Sequence, residues 1–439
     1  MGSALLGVAA AGIIAQGPGD VWVGLLEIQR HPARLLNDFT LVGGDGAALV
    51  NAALVAAIGL FVVRITAVRL SGPTIAAVFT MLGFGLFGKT VVNILPILAG
   101  VYISARIARK TYRDYILMAL YGTALGPLIT ALAVEAGMAT GPALPVALCG
   151  GLAAGILLPP VAMAMLRLHQ GYNLYNIGLT AGFIGLFAAS LLTAAGRPLS
   201  APVVWNSNPS TMLVLLIPAL STLFLAVALV GGPGRSIREF AAILRLSGRL
   251  PTDFVSQVGP SGALLNMALV GYLTWAYVLL VSAPLNGPVL GGILTAFGFA
   301  SFGKHPRNGW PVMAGVVMAT LVFGKDLTTA GPILAALFCL TLAPLAGEFG
   351  WKVGIVAGFL HLAMVERTAA WHLGVNLYNN GFAGGLTAAF MVAIIEWFRT
   401  SRETPFTTRV VKAAGKDDTS TIEKGREHET HRVSPAPHK

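Results

Sequence analysis

Charged side chains are scarce in this chain: Asp, Glu, Lys and Arg make up 11% of the 439 residues, less than half of the roughly 25% typical of soluble domains. That scarcity excludes a water-facing surface over most of the length. Cysteine is nearly absent, and Cys149 and Cys339 both fall in apolar runs with no histidine or carboxylate at ligand spacing, so neither a disulfide framework nor a metal site is expected. Short alternating apolar and polar strands are missing, which excludes a membrane β-barrel. There is no GxxxxGK[ST] loop, so the chain does not hydrolyse nucleotide by P-loop chemistry, and HExxH, GxSxG and CxxC are equally missing. No catalytic set emerges and no cofactor is implied.

What is abundant is hydrocarbon. Residues of hydrophobic type make up 55% of the chain, with 53 glycines and 25 prolines spread among them. Apolar runs of helical length recur up to about Phe398, which gives an all-α polytopic membrane protein whose first partner is the lipid bilayer. The net charge of +11 does not point to nucleic acid, because the basic residues gather at the ends of the apolar runs and in the tail after Arg399, where they orient a membrane protein. Residues 1–20 carry a short apolar segment without a basic leader, read as a short first helix.

The chain is internally duplicated. A shift of about 215 residues pairs Asp38-Phe39 with Asp253-Phe254 and Asn51 with Asn266. It also pairs Gly72-Pro73 with Gly287-Pro288, Thr80 with Thr295, and Gly83-Phe84 with Gly298-Phe299. Phe87-Gly88-Lys89 matches Phe302-Gly303-Lys304, Asn93 matches Asn308, and Ala99-Gly100-Val101 matches Ala314-Gly315-Val316. The shift is about 217 at Pro127 and Pro344, and about 203 where Asn173-Leu174-Tyr175-Asn176 meets Asn376-Leu377-Tyr378-Asn379. His169 and His372 precede the two copies of this last motif in the same register.

The organisation read from this is residues 1–20, a first repeat over 21–200, a connector with one hydrophobic helix over 201–236, a second repeat over 237–398, and a basic tail over 399–439. Each repeat opens with an amphipathic stretch, 21–38 or 237–253, and continues with six apolar segments. These lie at 46–70, 73–87, 90–107, 116–134, 143–166 and 177–195, and at 262–281, 288–302, 310–323, 332–346, 353–365 and 381–398. The connector segment 212–230 has no counterpart. Six crossings per repeat plus the connector make an odd number, so the second repeat is expected to be inverted. This parity also collects most Arg and Lys on one side, which places both termini in the cytoplasm. Re-entry of 73–87 and 288–302 would instead make the repeats parallel.

Short segments interrupted by Gly and Pro at matching places in two repeats point to a transporter's binding site. Phe-Gly-Lys stands at such a break in both copies, after the segments 73–87 and 288–302, with Gly88, Gly303, Pro73 and Pro288 as the helix breaks. Lys89 and Lys304 are therefore candidate anion contacts beside restarting helices; the plainer alternative is that each anchors a segment end in the headgroups. Asn93, Asn308, Thr80 and Thr295 lie in the same broken segments and are candidate pathway residues. Asn173, Tyr175, Asn176, Asn376, Tyr378 and Asn379 are costly in hydrocarbon unless bonded, so they line a site or cap the helices that follow. Asn51, Asn266, His169 and His372 are secondary candidates, the histidines read as loop residues facing water. Asp38 and Asp253 read as helix N-caps.

Taken together, the motifs Leu35-Leu36-Asn37-Asp38-Phe39, Gly83-Phe84-Gly85-Leu86-Phe87-Gly88-Lys89, Gly122-Thr123-Ala124-Leu125-Gly126-Pro127, Gly171-Tyr172-Asn173-Leu174-Tyr175-Asn176 and Asn376-Leu377-Tyr378-Asn379-Asn380-Gly381-Phe382 resemble an uncharacterised family of bacterial membrane proteins, domain of unknown function 1576. The resemblance implies a bacterial inner-membrane location and assigns no substrate, cofactor or catalytic residue. The expected function is a secondary transporter or channel for a small polar, anionic solute, with oligomers open. A membrane-embedded enzyme or lipid-handling protein and a non-transporting scaffold are the alternatives.

Overall fold

The computed structural model describes residues 1–134 and 140–403. The expected basic tail lies outside the described residues from position 404 onward. Regular structure among the described residues is helical, apart from one isolated bridge between Asn37 and Val204, and nine helices are long and apolar enough to cross a membrane. Residues 1–389 pack as one compact unit; 390–439 form a second, described only over its first, helical part.

In the first half, α1 (Gly2–Gln16) and α2 (Pro18–Arg30) meet at a 110° bend at Gly17, whose φ of 84° suits glycine. There follow α3 (Phe39–Val42), α4 (Asp45–Ile65), α5 (Gly72–Phe84) and α6 (Val91–Ile107). Then come α7 (Ile116–Gly122), α8 (Gly126–Val134), α9 (Thr140–His169) and α10 (Asn176–Ala194). The second half holds α11 (Thr211–Val230), α12 (Pro233–Ile243), α13 (Phe254–Gln257), α14 (Pro260–Leu280) and α15 (Gly287–Phe299). It ends with α16 (Pro306–Val322), α17 (Ala330–Phe338), α18 (Ala343–Phe349), α19 (Trp351–Trp371) and α20 (Asn379–Glu403).

Two features go beyond the sequence reading. The segments 116–134 and 332–346 are each broken by a 3-10 turn, Thr123–Leu125 and Cys339–Leu342. Pro127 and Pro344 stand just past these turns, and a proline removes the N–H owed to the carbonyl four residues back, so the helix is interrupted in both copies. The connector helix α11, which the sequence left unmatched, packs on α14 as α1 packs on α4. The two share no motif because an apolar helix held by Ala, Leu and Gly contacts needs none.

The centre is built from α5 and α15, which pack closely and run antiparallel, since Gly83 faces Gly291 while Gly72 faces Ser301. A Cβ on Gly83 would stand 2.8 Å from the Gly291 carbonyl oxygen. Each short helix is capped at its N-terminus by the opposite half: Asp253 accepts from Gly72 N–H at 2.9 Å, and Asp38 accepts from Gly287 N–H at 3.2 Å. The N-cap role expected for both aspartates thus includes a helix outside their own repeat. Nearby, α10 crosses the start of α20 with glycine on glycine, a Cβ on Gly178 standing 2.8 Å from the Gly381 Cα.

Candidate functional site

The Phe-Gly-Lys breaks lie inside the protein. Gly85 to Thr90 and Ala300 to His305 are buried, and each break exposes carbonyls that no helix satisfies. Asn51 supplies donors to the carbonyls of Gly85 and Lys89 at 2.7 and 2.9 Å; Asn266 does the same for Ala300 and Lys304, both at 2.7 Å. Asn93 and Asn308 close reciprocal capping boxes with Thr90 and His305 and also donate to the carbonyls of Gly88 and Gly303. These four asparagines, candidates for a solute pathway, spend their amide groups on holding the backbone breaks. The free helix N–H groups expected after each lysine are partly consumed by the same caps.

The Asn-Leu-Tyr-Asn loops reach the same place from the other side. Leu174 fills the space over Gly303, and Leu377 fills that over Gly88, where a Cβ would fall 2.4 Å from the leucine Cδ2. Asn173 Nδ2 donates to the Gly381 carbonyl at 3.2 Å, and Asn376 Nδ2 to the Gly178 carbonyl at 3.4 Å, tying each loop to the helix opening of the other half. Asn176 and Asn379 pair with His169 and His372 at 2.9 and 3.0 Å and donate to Ala162 and Val365. Both histidines are buried, which corrects the expectation that they face water. An asparagine without a partner is costly away from solvent, and the histidine is that partner.

This scaffold presents Tyr175 and Tyr378 to each other, ring centroids 5.0 Å apart, with Phe299 at 4.6 Å from Tyr175 and Phe84 at 4.7 Å from Tyr378. Lys304 Nζ lies 4.3 Å from the Tyr175 ring centroid and 4.8 Å from that of Phe299, and Lys89 Nζ lies 5.1 Å from that of Phe84. Both lysines are buried and, among the described residues, neither joins an ion pair. They are therefore not headgroup anchors, and holding a lysine away from water without a counter-ion is costly.

At this level the pairing of the halves breaks. Lys304 Nζ donates to the Tyr175 hydroxyl, whereas Lys89 Nζ has no hydrogen-bond partner. The Tyr378 hydroxyl instead donates to Thr80 Oγ1 at 3.2 Å, while Thr295 turns back to the Gly291 carbonyl of its own helix at 2.7 Å. Thr341 adds a further difference, donating to Asn173 Oδ1 at 2.5 Å where the first half has Ala124.

Tyr175, Tyr378 and Phe299 form the inner wall of a cavity of about 540 Å³ whose rim carries Arg167, Gln170 and Thr252. In the other half, the matching segment Leu36 to Asp38 is covered. Val204 N–H donates to Leu36 and accepts from Asp38 N–H through its carbonyl, and the buried Arg34 donates to the Ser200 carbonyl at 2.9 Å. The connector therefore covers this segment, whereas its counterpart at Pro251 and Thr252 lines the cavity. Tyr121, whose hydroxyl donates to the Pro73 carbonyl at 3.0 Å, and the ring pair Phe84 and Phe299 belong to this site and escaped sequence reasoning. The phenylalanines were visible as a matched Gly-Phe pair, but nothing in the sequence marks a packing aromatic as a cavity wall. Pro288 and Pro73 sit in the first turns of α15 and α5, with Pro73 on the cavity.

No curated protein and no solved structure matches the chain. A family described as protein of unknown function (DUF1576) matches residues 18–194 and 233–397, two stretches that fall on the two halves of the duplication and cover most of the sequence, so the chain belongs to that family.

Proposed function

We propose that this polytopic membrane protein is a secondary transporter for a small anionic solute. The observation that carries the reading is the pair of duplicated lysines, both buried at helix breaks without a carboxylate, with Lys304 bonded to Tyr175 of the cavity wall and Lys89 against Phe84, which packs on the wall residue Tyr378. An anion entering next to them would supply the counter-charge that the protein withholds. A scaffold has no use for such a cavity, which favours transport over that alternative. The larger groove between α8, α9 and α10, about 1080 Å³, carries no lysine or histidine, so nothing there favours lipid chemistry.

The reading includes an inverted relation of the halves. It is supported by the antiparallel α5 and α15 and by the glycine crossing of α10 with α20, both of which suit a two-fold axis in the membrane plane. The open mouth lies by Arg167 and the 249–253 loop, on the side where basic loops gather, so this is the inward-facing state of a bacterial inner-membrane protein with cytoplasmic termini. In the outward-facing state the halves exchange roles: Lys89 bonds Tyr378, and Tyr175 passes to Thr295.

Solute counterflow in proteoliposomes tests this, with Lys89→Ala and Lys304→Ala made singly and together. Each single variant is expected to slow flux and the double to abolish it. Full flux in the double variant would remove the lysines from the mechanism.

A further inference from the structure

The cavity says more about the solute than its charge. Polar atoms along its inner wall are already committed within the protein: Tyr121 to the Pro73 carbonyl, Tyr378 to Thr80, and Asn176 to His169 and Ala162. The rest of the wall is hydrocarbon and aromatic ring, with Leu117, Met118, Leu166, Ile177, Phe299 and Phe302 prominent. Tyr121, Tyr175, Tyr378 and Phe299 form one connected ring cluster, with centroids 4.6 to 6.3 Å apart. Among the residues lining the cavity Arg167, at the rim, is the basic side chain, and the Lys304 amine stands behind the Tyr175 hydroxyl.

An inorganic oxyanion such as sulfate or phosphate would leave its hydration shell here and find no row of donors to replace it. A carboxylate or sulfonate on an apolar body meets the opposite situation. Its body gains about 25 cal/mol per Å² of apolar surface buried, its ring or chain stacks on the aromatic cluster, and only its head needs a cation. A cavity of about 540 Å³ lies within the size range of pockets for small organic ligands.

Resting on the transporter reading above, we propose that the solute is an amphipathic organic anion, a carboxylate or sulfonate on an aromatic or short aliphatic body, with its head toward Arg167 on entry and toward Lys304 once Tyr175 moves aside. Sulfonates make the better probe, because carboxylic acids leak through bilayers in their protonated form.

The test uses the full chain, purified and reconstituted, with benzenesulfonate and hexanesulfonate set against sulfate, phosphate and chloride at matched ionic strength. Thermal stabilisation in detergent reads binding, and counterflow reads transport. The organic sulfonates are expected to raise Tm and to exchange across the membrane, while the inorganic anions do neither. Met118→Gln and Arg167→Gln are each expected to weaken sulfonate binding about tenfold, equivalent to about 1.4 kcal/mol. Saturable binding and flux of the inorganic anions without the sulfonates would overturn the solute class and leave the transporter reading standing. Sulfonate binding at the cavity without flux of any anion would support the class and sink transport. Tm shifts that persist unchanged in both variants would show that the sulfonates bind elsewhere and overturn the assignment.

Discussion

The Lys304 side and the Lys89 side of this protein are built from the same parts and left in different states. On one side the Lys304 amine holds a tyrosine hydroxyl next to an open cavity; on the other the matching Lys89 amine lacks a partner among the described residues, its tyrosine is held by Thr80, and Ser200 and Val204 bond over the segment Arg34 to Asp38. The main backbone supports correspond: Asn51 and Asn266 donate to the carbonyls of the breaks, Asn93 and Asn308 to those of Gly88 and Gly303, and His169 and His372 hold Asn176 and Asn379. The difference lies in the partners of the lysine, tyrosine and threonine side chains, and the transporter reading takes these partners to exchange within the frame. Such a comparison can be broken by freezing one state, by spoiling the frame, or by removing one member of a pair.

Freezing has the largest expected effect. Asn37 and Val204 face each other in a parallel bridge, so Asn37→Cys with Val204→Cys is placed to form a disulfide that staples the covered mouth shut. Oxidation is expected to abolish counterflow and reduction to restore it; unchanged flux after confirmed crosslinking would mean that this mouth never opens. Spoiling the frame comes next. Gly178→Leu drives a side chain into the Gly381 backbone and is expected to cost about 3 kcal/mol or more, seen as loss of monodisperse protein. Gly185→Ala meets the methyl of Val375 at 3.2 Å and the Cβ atoms of His372 and Asn376 at 3.5 and 3.6 Å, side-chain contacts rather than backbone, and should be far milder, so equal damage from both would contradict the glycine crossing.

Removing one member of a pair is subtler. Tyr175→Phe strips Lys304 of its acceptor and is expected to cost about 1–3 kcal/mol, whereas Tyr378→Phe frees only Thr80 and should cost about 1 kcal/mol. The readout is Tm together with thiol labelling of a cysteine placed at Leu117 in the open cavity. Tyr175→Phe should lower labelling more than Tyr378→Phe, and the reverse order would invert the assignment of the two sides.

The smallest expected effect concerns Asp38. Burial pushes its carboxyl up to about 6, against hydrogen bonds from Thr40 and Gly287 that pull it down. The folded chain then binds this proton more tightly than the unfolded chain, whose carboxyl keeps a value near 3.8. Its contribution to stability is greatest below about pH 4, falls as pH rises to about 6, and is level above. Asp38→Asn keeps an oxygen acceptor for the α15 N-terminus and removes this slope. The Tm difference between pH 4.5 and pH 7.5 should therefore shrink in the variant, and an unchanged difference would place the titration elsewhere.

Much of this was legible in the chain itself. Few charges and long apolar runs fix a membrane protein, because hydrocarbon accepts only residues that bring no unpaired polar group. The duplication fixed which residues are partners, and its Gly-Lys and Asn-Tyr pairs fell at the centre. Three things were not legible. An asparagine that bonds a carbonyl 34 or 38 residues away looks the same in sequence as one that binds a solute, as Asn51 shows. The match of α1 to α11 is a match of packing without identity. And the unequal partners of Lys89 and Lys304 arise from identical motifs. Sequence determines which side chains are present and how they repeat; only the tertiary structure decides which of two equivalent partners each one takes, because hydrogen bonds are local and directional and the choice depends on a few tenths of an ångström that no repeat encodes.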